Sequence, residues 1–433
     1  MTTALPALTD YTTARDQLLA HSVRCASEPC PLAQAAGRIL ALDIRSPMAL
    51  PSFDHAAMDG YALCARNALA AGSEHRVQGS QAAGDVAVES TGAAWEIMTG
   101  AQLPDGLDAV VAVERTELLE TLADGSPARI RLSDPLVAGQ NVRYAGTDVE
   151  QGAVVLRAGI RIGPAQVMLL AALGIASVEV VRRPRAAIIC TGKELQADAS
   201  MALQSGRIHG SNGPYLVAAL DAIGVLVLSC ETVDDTAVTY AAALQRAVDA
   251  GAELVISTGA VSMGRYDFVP DSLRRLGAEI LFHRVAMRPG KPLLAAALPQ
   301  GPLLLALPGT PMAVAAGLRF FVTPVVRAMS GQEREPLSHA VLDTPQRPTP
   351  GLRHFLRASF RQDESGSVHA SVLKLQQPFR IQPFADADGW VVLPENAGDC
   401  AAGSMVRIAS LHTHASSAFL SARPIATHEE VSP

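Results

Sequence analysis

Two proline–glycine turns near the centre of the chain differ in charge. The first, in "VAMRPGKP", comprises Arg288, Pro289, Gly290 and Lys291, and the second, in "LPGTP", contains Pro308 and Gly309 but no cation. Cationic side chains bind oxyanions, and glycine lets backbone N–H groups come close to an anion. The second turn leads into a predicted helix, whose N-terminus attracts negative charge. Together the turns predict an anion-binding site, although Lys291 alone could be a solvated surface charge.

Two further apolar segments end in a threonine–glycine pair. These segments, "IICTGKEL" and "VISTGAVSMGRYD", supply Thr191, Gly192, Thr258, Gly259 and Ser262. A single turn of this kind is an ordinary strand exit. Its repetition after successive strands favours a groove in which backbone amides and hydroxyl groups hold a phosphate.

Three carboxylates follow strand-like segments in the same part of the chain. They are Glu194, Asp235 and Asp267. Carboxylate oxygens are the protein ligands that Mg²⁺ takes when it also binds substrate phosphates. The sequence therefore predicts a magnesium site beside the groove. Asp234 and Asp235 could instead cap the helix that starts at Thr236.

Residues 184–331 must position these side chains. Strand-sized apolar runs alternate there with helical ones, from "RAAIICTG" to "PMAVAAGLRFFVTPVVRAMSG". This alternation predicts a parallel sheet with right-handed crossovers. Such sheets bind ligands at the carboxyl ends of their strands, so we expect the four turns to meet at that edge.

A second group of polar residues lies beside glycine turns in the first half of the chain. It consists of Asp59 in "MDGYAL", Thr99, Arg143 and Asp148. Asp59 could belong to an Asp-Gly hairpin turn, or it could lie at the mouth of a cleft. Strand-sized runs between glycine turns predict a mostly β module over residues 51–144.

The remaining segments complete a multidomain α/β and β fold. Helices are predicted in "YTTARDQLLAHSV" and in "PLAQAAGRILALDIRSP", the latter leading into a strand. Residues 1–50 plus 145–183 would form one interrupted, elongated domain. The α/β domain would occupy residues 184–331, and a small β domain would occupy residues 336–425.

Composition excludes several classes of function. The net charge of −7 argues against general affinity for nucleic acid. Six scattered cysteines without a C-x-x-C pair predict a reduced protein that lacks a structural zinc site. The N-terminus does not read as a signal peptide, and glycine or polar residues interrupt the most apolar runs. We therefore expect a cytoplasmic protein that does not bind membranes.

The motifs taken together resemble the MoeA/gephyrin E-domain family, the molybdopterin molybdenumtransferases. The matching stretches include "FDHAAMDGYAL", "IMTGAQLPDGLDAVV", "NVRYAGTDV", "GAVVLRAGIRI", "TGKEL", "GRIHGSNGPYL", "STGAVSMGRYDFV", "VAMRPGKP" and "LPGTPMAVAAGLRFFVTP". They occur in the family's order over about residues 30 to 330. A single motif of this kind is weakly specific, whereas this many in order is strongly specific.

The resemblance implies a four-domain, elongated homodimer with a MogA-like α/β domain and a barrel-like C-terminal domain. It implies insertion of molybdate into adenylylated molybdopterin, with Mg²⁺-dependent loss of AMP. The implied partners are the molybdopterin adenylyltransferase and client molybdoenzymes or their chaperones. The cleft of the α/β domain would be completed by the β module of the partner subunit.

The resemblance also implies roles for individual residues. Asp59, Asp148, Glu194 and Lys291 would be catalytic, and Thr99 would line the cleft. Glu194, Asp235 and Asp267 would serve the metal and the pyrophosphate. Arg288 and Lys291 would neutralise phosphate or molybdate charge, as would Arg143 from across the dimer.

The chain departs from the family's usual residues at several positions. These are His55, Lys193, Ala260, Thr310 and the stretch "LQQPFRIQPF", which includes Gln376 to Arg380. Two alternatives to an active insertase stay open, the first because of these departures and the second because the α/β domain is of the kind also found in the adenylating enzyme. One is a non-catalytic cofactor carrier or scaffold that serves one molybdoenzyme, and the other is nucleotidyl transfer to molybdopterin.

Overall fold

The structure is a computed structural model that describes residues 7–86, 88–196, 198, 200–262, 267–299 and 301–411. It has two compact units, one made of the described parts of 1–28, 37–39 and 180–433, the other of 29–36 and 40–179. Residues 412–425 of the predicted last domain lie outside the described residues. The four predicted domain boundaries remain a prediction.

The first helix packs within the unit that contains the α/β sheet. Helix α1 spans Tyr11–Ala20, and Asp10 caps it by accepting a hydrogen bond from the Thr13 amide at 3.0 Å. The Tyr11 hydroxyl donates to the Phe320 carbonyl at 3.2 Å. Residues 11–20 therefore lie with the α/β part of the chain, whereas residues 1–50 were predicted for the elongated domain.

The other unit is mostly β structure, as the sequence predicts for residues 51–144. In chain order up to residue 181, the elements are β1 Ser27–Pro31, β2 Ile44–Arg45, β3 His55–Ala56, β4 Gly60–Leu63, β5 Glu74–Gln81, β6 Ala94–Ile97, β7 Ala109–Ala112, β8 Thr116–Thr121, β9 Pro127–Leu132, β10 Val142–Arg143, β11 Val154–Leu156, α2 Pro164–Ala172 and β12 Ser177–Val181. A six-stranded sheet has the order β7-β4-β6-β5-β9-β8. Alternate side chains such as Tyr61, Val77 and Ile130 form its core.

The prediction of a helix in "PLAQAAGRILALDIRSP" is wrong. That segment forms one 3₁₀ turn, Leu32–Gln34, and then runs irregularly to the short strand β2. Gly37 has a φ of 82°, which turns the chain away from a helical path. The apolar spacing that suggested a helix instead buries Ile39 and Leu40.

The α/β region forms a second six-stranded sheet. Its elements are β13 Arg185–Thr191, β14 Leu195–Gln196, β15 Ile208–His209, α3 Asn212–Ala222, β16 Leu226–Val233, α4 Ala237–Asp249, β17 Leu254–Thr258, α5 Val269–Arg275, β18 Glu279–His283, β19 Met287–Arg288, β20 Leu294–Ala297, β21 Leu303–Leu307, α6 Pro311–Gly317 and α7 Thr323–Met329. The order is β16-β13-β17-β21-β20-β18. Strands β13, β16, β17 and β21 pair in parallel. The inner strands β13, β17 and β21 are almost entirely buried, as expected where a sheet is covered on both faces, whereas the edge strand β16 is partly exposed.

The prediction of an entirely parallel sheet is wrong at one edge. Strand β20 pairs antiparallel with both β21 and β18. The connections on either side of β20 contain no helix, and connections that short join antiparallel neighbours rather than parallel ones. Because His283 pairs with Leu294, and Leu294 with Ala306, residues 284–293 still lie at the edge where β21 ends. We call this edge the rim.

The helix after β21 belongs to the core. Among the described residues, the helical stretch Pro311–Met329 is long and apolar enough to cross a membrane, and 83% of it is buried inside the protein. It comprises α6, the π-helical segment Leu318–Val322 and α7. Burial on all sides explains why its sequence is apolar throughout.

The C-terminal region is a closed barrel, which confirms the predicted barrel-like domain. Its elements are β22 Ser338–Leu342, β23 Arg353–Gln362, β24 Val368–Val372, α8 Gln382–Ala385, β25 Gly389–Leu393 and β26 Met405–Ser410. The strands pair in the order β23-β24-β22-β26-β25, and β25 pairs again with β23. Strand β19 pairs in parallel with the start of β23, where Arg288 is opposite His354.

Candidate functional site

The strand order of the α/β sheet sets the order of the predicted residues along the rim. Asp235 follows β16, Glu194 follows β13, Gly259 and Ser262 follow β17, and Gly309 follows β21. Arg288 and Lys291 lie beyond, in the connection between β18 and β20. Glu194 and Asp235 thus lie towards one end of the rim, and Arg288 and Lys291 lie towards the other, where Asp267 lines the same cavity as the cations.

The loops after β13, β17 and β21 are in direct contact. Gly259 has a φ of 94°, and a Cβ there would lie 2.5 Å from the Thr191 hydroxyl oxygen and 2.7 Å from the Thr191 carbonyl oxygen. The Gly259 amide donates to the Leu307 carbonyl at 3.0 Å. A glycine is therefore required at residue 259 both for its backbone conformation and for this close approach.

Asp235 faces the loop after β13 and does not cap the following helix. Its carboxylate accepts a hydrogen bond from the Lys193 amide at 3.2 Å. Thr236 is the N-cap of α4, because its hydroxyl accepts from the Thr239 amide at 3.2 Å. Of the two alternatives open from the sequence, the geometry favours a place in the site.

The larger of two cavities along the rim has a volume of about 870 Å³. Its walls include Thr191, Gly192, Glu194, Asp235, Gly259 and Gly309. Asn212, at the start of α3, donates its side-chain amide to the Gly309 carbonyl at 2.8 Å. This bond links the start of α3 to the second proline–glycine turn.

The smaller cavity, of about 450 Å³, holds the cations. Its walls include Ser262, Asp267, Arg288, Pro289, Gly290 and Lys291, and also Pro308 and Gly309. Arg288 and Lys291 are exposed, and neither forms an ion pair with another described residue. Both cavities share Ala260, Gly309 and Thr310, so they are adjacent.

The helix N-terminus at Pro311 is less open to an anion than the sequence predicts. Pro311 has no N–H group, and the Met312 amide donates to the Pro378 carbonyl at 3.0 Å. The next amide, that of Ala313, donates to the Thr310 carbonyl at 3.0 Å. A segment of the barrel region therefore occupies the place where an anion was expected.

Two predicted hydroxyl donors are used inside the protein. The Thr191 hydroxyl donates to the Thr258 carbonyl at 3.1 Å, and both residues are buried. Thr191 still lines the larger cavity, whereas Thr258 lies beneath the rim. Thr258 accepts this bond through its carbonyl, and its own hydroxyl forms a hydrogen bond to Cys190, so its side chain is not presented to a ligand.

The three carboxylates predicted to hold magnesium are divided between the cavities. Glu194 and Asp235 line the larger cavity, and Asp267 lines the smaller one. Within the described residues there is no group of three or more His, Cys, Asp or Glu side chains that could hold a metal ion. A metal in the larger cavity would have two protein carboxylates available.

A pair of cysteines forms part of the floor of the larger cavity. Cys190 on β13 and Cys230 on β16 both contact Gly213 at the start of α3. A hydrogen bond from the Cys230 thiol lowers the pKa of Cys190 to about 7. The same interaction raises the pKa of Cys230, which is itself exposed to the solvent.

In the other unit, Asp59 and Thr99 form a hydrogen-bonded pair. The Asp59 carboxylate accepts from the Thr99 amide at 2.6 Å and from its hydroxyl at 2.7 Å. These two bonds hold the pKa of Asp59 below its usual range. Asp59 is not part of an Asp-Gly hairpin, because β3 pairs with β10 while β4 pairs with β6 and β7.

Arg143 ends strand β10, and Asp148 lies in the loop that follows this strand. Arg143 is opposite His55 in the pairing of β3 with β10. The Asp148 amide donates to the Leu50 carbonyl at 3.0 Å, and the side chains of Arg143 and Asp148 are exposed. Within this unit, the fold brings together three loops that are far apart in the sequence.

Family models match almost the whole chain. They are the MoeA N-terminal region (domain I and II) over residues 9–174, a "Probable molybdopterin binding domain" over 187–328, and the MoeA C-terminal region (domain IV) over 339–411. A molybdopterin molybdenumtransferase from Synechococcus elongatus is 35% identical over 412 residues, which cover 93% of this chain and 99% of the relative. The chain belongs to the MoeA family of molybdopterin molybdenumtransferases.

Other members of the MoeA family agree with this assignment. The molybdopterin molybdenumtransferase of Bacillus subtilis is 34% identical over 381 residues, which cover 86% of each chain. The crystal structure of a MoeA protein of molybdopterin biosynthesis from Pyrococcus horikoshii is 28% identical and has a TM-score of 0.79. It covers 94% of this chain and 99% of its own.

Two of the departures from the usual MoeA residues meet at the boundary of the cavities. Ala260 and Thr310 line both of them. Ala260 has a φ of 50°, in the left-handed region that glycine adopts without strain. Ala260 therefore occupies a position where the backbone favours glycine.

Sequence reasoning missed two contributors to the MoeA-type site. One is Asn212, which fixes the turn at Gly309, and the other is Pro378, which lines the smaller cavity. Asn212 precedes a predicted helix, so its position at a strand-end rim could have been inferred. Pro378 lies in a separate domain, and no local pattern predicts its contact with Met312.

Proposed function

We propose that the chain inserts molybdenum into molybdopterin during molybdenum cofactor biosynthesis. The observation that carries this proposal is the division of one rim into a carboxylate-lined cavity and an adjacent cation-lined cavity. Insertion needs two anionic substrates beside each other, a pterin phosphate and an oxyanion. The names of the relatives at 34–35% identity support the same reaction.

The larger cavity would bind adenylylated molybdopterin, and the smaller cavity would bind molybdate. A volume of about 870 Å³ falls within the range that ligand pockets occupy. Arg288 and Lys291 have no carboxylate partner among the described residues, so their charge is available to an oxyanion. The adjacency of the cavities would place the oxyanion next to the pterin.

Glu194 and Asp235 would hold Mg²⁺ in the larger cavity. Proteins bind this ion through one or two carboxylates together with substrate phosphate oxygens, and two carboxylates line this cavity. The donor set therefore fits Mg²⁺, whereas Asp267 would act in the smaller cavity. When bound, the ion would stabilise negative charge on the departing AMP.

The chain's own residues would bind and orient the substrates. Gly192, Gly259 and Gly309 line the larger cavity, where the lack of a side chain permits close approach of phosphate oxygens. The Gly192 and Gly259 amides donate to the Val233 and Leu307 carbonyls, so these two glycines would supply space rather than donors. Arg288 and Lys291 would neutralise the oxyanion, so that it can approach an anionic pterin. Asp59 and Thr99 would act from the β module of the partner subunit, Asp148 would act from the segment that follows this module, and Arg143 would neutralise charge from across the dimer.

We further propose that the protein is a cytoplasmic homodimer. Helix α2 exposes Met168 to 72%, and Leu42 in the same unit is 58% exposed. A dimer interface that included them would remove this apolar surface from water, and the homodimer itself is proposed from the resemblance to the MoeA/gephyrin E-domain family. The molybdopterin adenylyltransferase would supply the substrate, and client molybdoenzymes or their chaperones would accept the product.

The carrier alternative is less well supported than insertion. A carrier would retain the cofactor cavity but would not need carboxylates and cations in adjacent cavities. Nucleotidyl transfer would require productive binding of ATP. The carrier and the nucleotidyl transferase each differ from the insertase in the AMP release that they predict. One assay of AMP release therefore separates the three functions.

The deciding assay combines the purified protein with adenylylated molybdopterin, molybdate and Mg²⁺, and follows AMP release and activation of an apo-molybdoenzyme. We expect AMP release that depends on both molybdate and Mg²⁺. The Lys291→Ala variant should need a higher molybdate concentration, and Asp235→Asn a higher Mg²⁺ concentration. Tight pterin binding without AMP release would contradict insertion and would favour the carrier.

A further inference from the structure

A buried arginine in the barrel holds a segment that lines the smaller cavity. Arg357 on β23 is 1% exposed, and its guanidinium donates to the Leu375 and Arg380 carbonyls, each at 2.7 Å. It forms no ion pair with any other residue that the structure describes. Burying a cation without a carboxylate is costly, so the conformation that it fixes must matter to the protein.

Gln376 makes the same segment rigid from its other side. Its carboxamide accepts from the Arg357 amide at 3.0 Å and donates to the carbonyls of Arg357 at 3.0 Å and Leu373 at 2.8 Å. Leu375, between these bonds, has a φ of 63°. A leucine is rarely found in this left-handed conformation, and it persists here because neighbouring bonds determine it.

The segment that these residues hold, 375–380, reaches the rim through Pro378. The Pro378 carbonyl accepts from the Met312 amide at 3.0 Å, and Pro378 lines the cavity that contains Arg288 and Lys291. We call residues 375–380 the wall segment. Pro378 is the residue of the wall segment that lines the cavity, and its carbonyl also satisfies the first free amide of α6.

Strand β23 fixes the cation-bearing loop as well. At the start of the strand, Arg353 and His354 pair with Met287 and Arg288, and the Arg353 amide donates to the Ala286 carbonyl at 2.9 Å. Arg357 follows His354 after three residues on the same strand. One strand therefore sets the positions of both the Arg288 loop and the wall segment.

We infer that Arg357 and Gln376 are positioning residues for oxyanion binding, because they hold the wall segment in the place where Pro378 completes the smaller cavity. The inference rests on the proposed function in that it takes this cavity as the site of a tetrahedral oxyanion such as molybdate. Neither residue touches the oxyanion. They act through Pro378 and through the shared strand β23.

The test compares two adjacent glutamines. Gln376→Ala removes the three side-chain bonds, whereas Gln377→Ala alters an exposed neighbour that makes no side-chain hydrogen bond among the described residues. We expect Gln376→Ala to raise the molybdate concentration for half-maximal AMP release by about tenfold. Its kcat at saturating molybdate and its KM for adenylylated molybdopterin should stay within about twofold, and Gln377→Ala should match the wild type.

Amide hydrogen exchange reports the position of the wall segment without any substrate. The Met312 amide should exchange slowly in the wild type and in Gln377→Ala, and faster in Gln376→Ala. Arg357→Lys keeps the charge but cannot reproduce both carbonyl bonds of the planar guanidinium, so an intermediate effect on both readouts is expected. It also provides a second variant if Gln376→Ala does not fold.

Several outcomes would overturn the inference. Faster Met312 exchange with an unchanged molybdate requirement would show that the wall segment does not shape the cavity. Equal losses for molybdate and for the pterin would indicate a general structural role. If the wild type releases no AMP, calorimetry with molybdate decides: tighter binding by wild type than by Gln376→Ala supports the inference, and equal or absent binding overturns it.

Discussion

The Asp59 carboxylate accepts both the backbone amide and the hydroxyl of Thr99, at 2.6 Å and 2.7 Å. The two residues are forty positions apart in the sequence and come from loops at the ends of β3 and β6. Two donors on one carboxylate oxygen fix the orientation of Asp59 and stabilise its ionised form. A carboxylate that faces a ligand from a loop needs hydrogen bonds of this kind to hold its orientation.

Replacing the Thr99 hydroxyl should raise the pKa of Asp59. The backbone amide contributes first to lowering this pKa and the hydroxyl second, so Thr99→Val should remove part of the effect. Because the pKa is lower in the folded state, Asp59 favours folding above its unfolded pKa of about 3.9, and this contribution fades as the pH falls further. Carboxyl ¹³C NMR titration measures the change. Thr116→Val, whose hydroxyl bonds to the Val113 carbonyl, should leave Asp59 unaffected.

Gly259→Ala should destabilise the α/β domain strongly. The new Cβ would lie 2.5 Å from the Thr191 hydroxyl oxygen, and residue 259 has a φ of 94°. Backbone strain and steric overlap would therefore both destabilise the folded state. We expect a loss of about 2–4 kcal/mol in the free energy of unfolding. Gly301→Ala, at a φ of 104° with no atom within 4 Å, isolates the conformational part and should cost about 1–2 kcal/mol. Equal losses in urea denaturation would contradict the close contact.

Ala260→Gly should stabilise the protein. Ala260 has a φ of 50°, which glycine adopts without the steric cost that an alanine meets. We expect a gain of about 0.5–1 kcal/mol, since the greater freedom of glycine in the unfolded chain offsets part of the relief. Ala242→Gly, on the exposed side of α4, should instead cost about 0.5–1 kcal/mol. The two changes should shift the urea midpoint in opposite directions.

The cysteine pair in the larger cavity should release its first proton near neutral pH. The Cys230 thiol lowers the pKa of Cys190 to about 7, so thiolate absorbance at 240 nm should rise with a midpoint near that pH. An unfolded cysteine has a pKa of about 8.5, so the unfolded state holds more protons between these values. Stability from Cys190 therefore increases with pH across this window. The raised pKa of Cys230 has the opposite effect at higher pH.

Two variants test this assignment. Cys230→Ala removes the hydrogen bond and should move the Cys190 midpoint up to the usual cysteine range or beyond, because burial then dominates. Cys400→Ala should leave the midpoint near pH 7. A neutral-pH thiolate that persists without Cys230 would show that another group stabilises Cys190.

The sequence by itself determined the chemistry of the site and much of its location. Glycines, hydroxyl-bearing residues and carboxylates at the ends of apolar runs predict a ligand-binding edge of the sheet, because parallel strands bring their carboxyl ends to one edge. The ordered motifs identified the family. The mostly β character of residues 51–144 and of the last domain was also predicted correctly, since strand-sized runs between turns are local patterns, whereas the barrel was implied by the family resemblance.

Only the tertiary structure decided which of these residues share a cavity. Sequence grouped Glu194, Asp235 and Asp267, but the strand order separates Asp267 from the other two. The tertiary structure also has an antiparallel strand, β20, at one end of the sheet. In addition, the carbonyl of Pro378, from the barrel region, accepts a hydrogen bond from the Met312 amide. Pairing order and contacts between distant segments depend on the packing of the whole domain. No local spacing of residues contains that information.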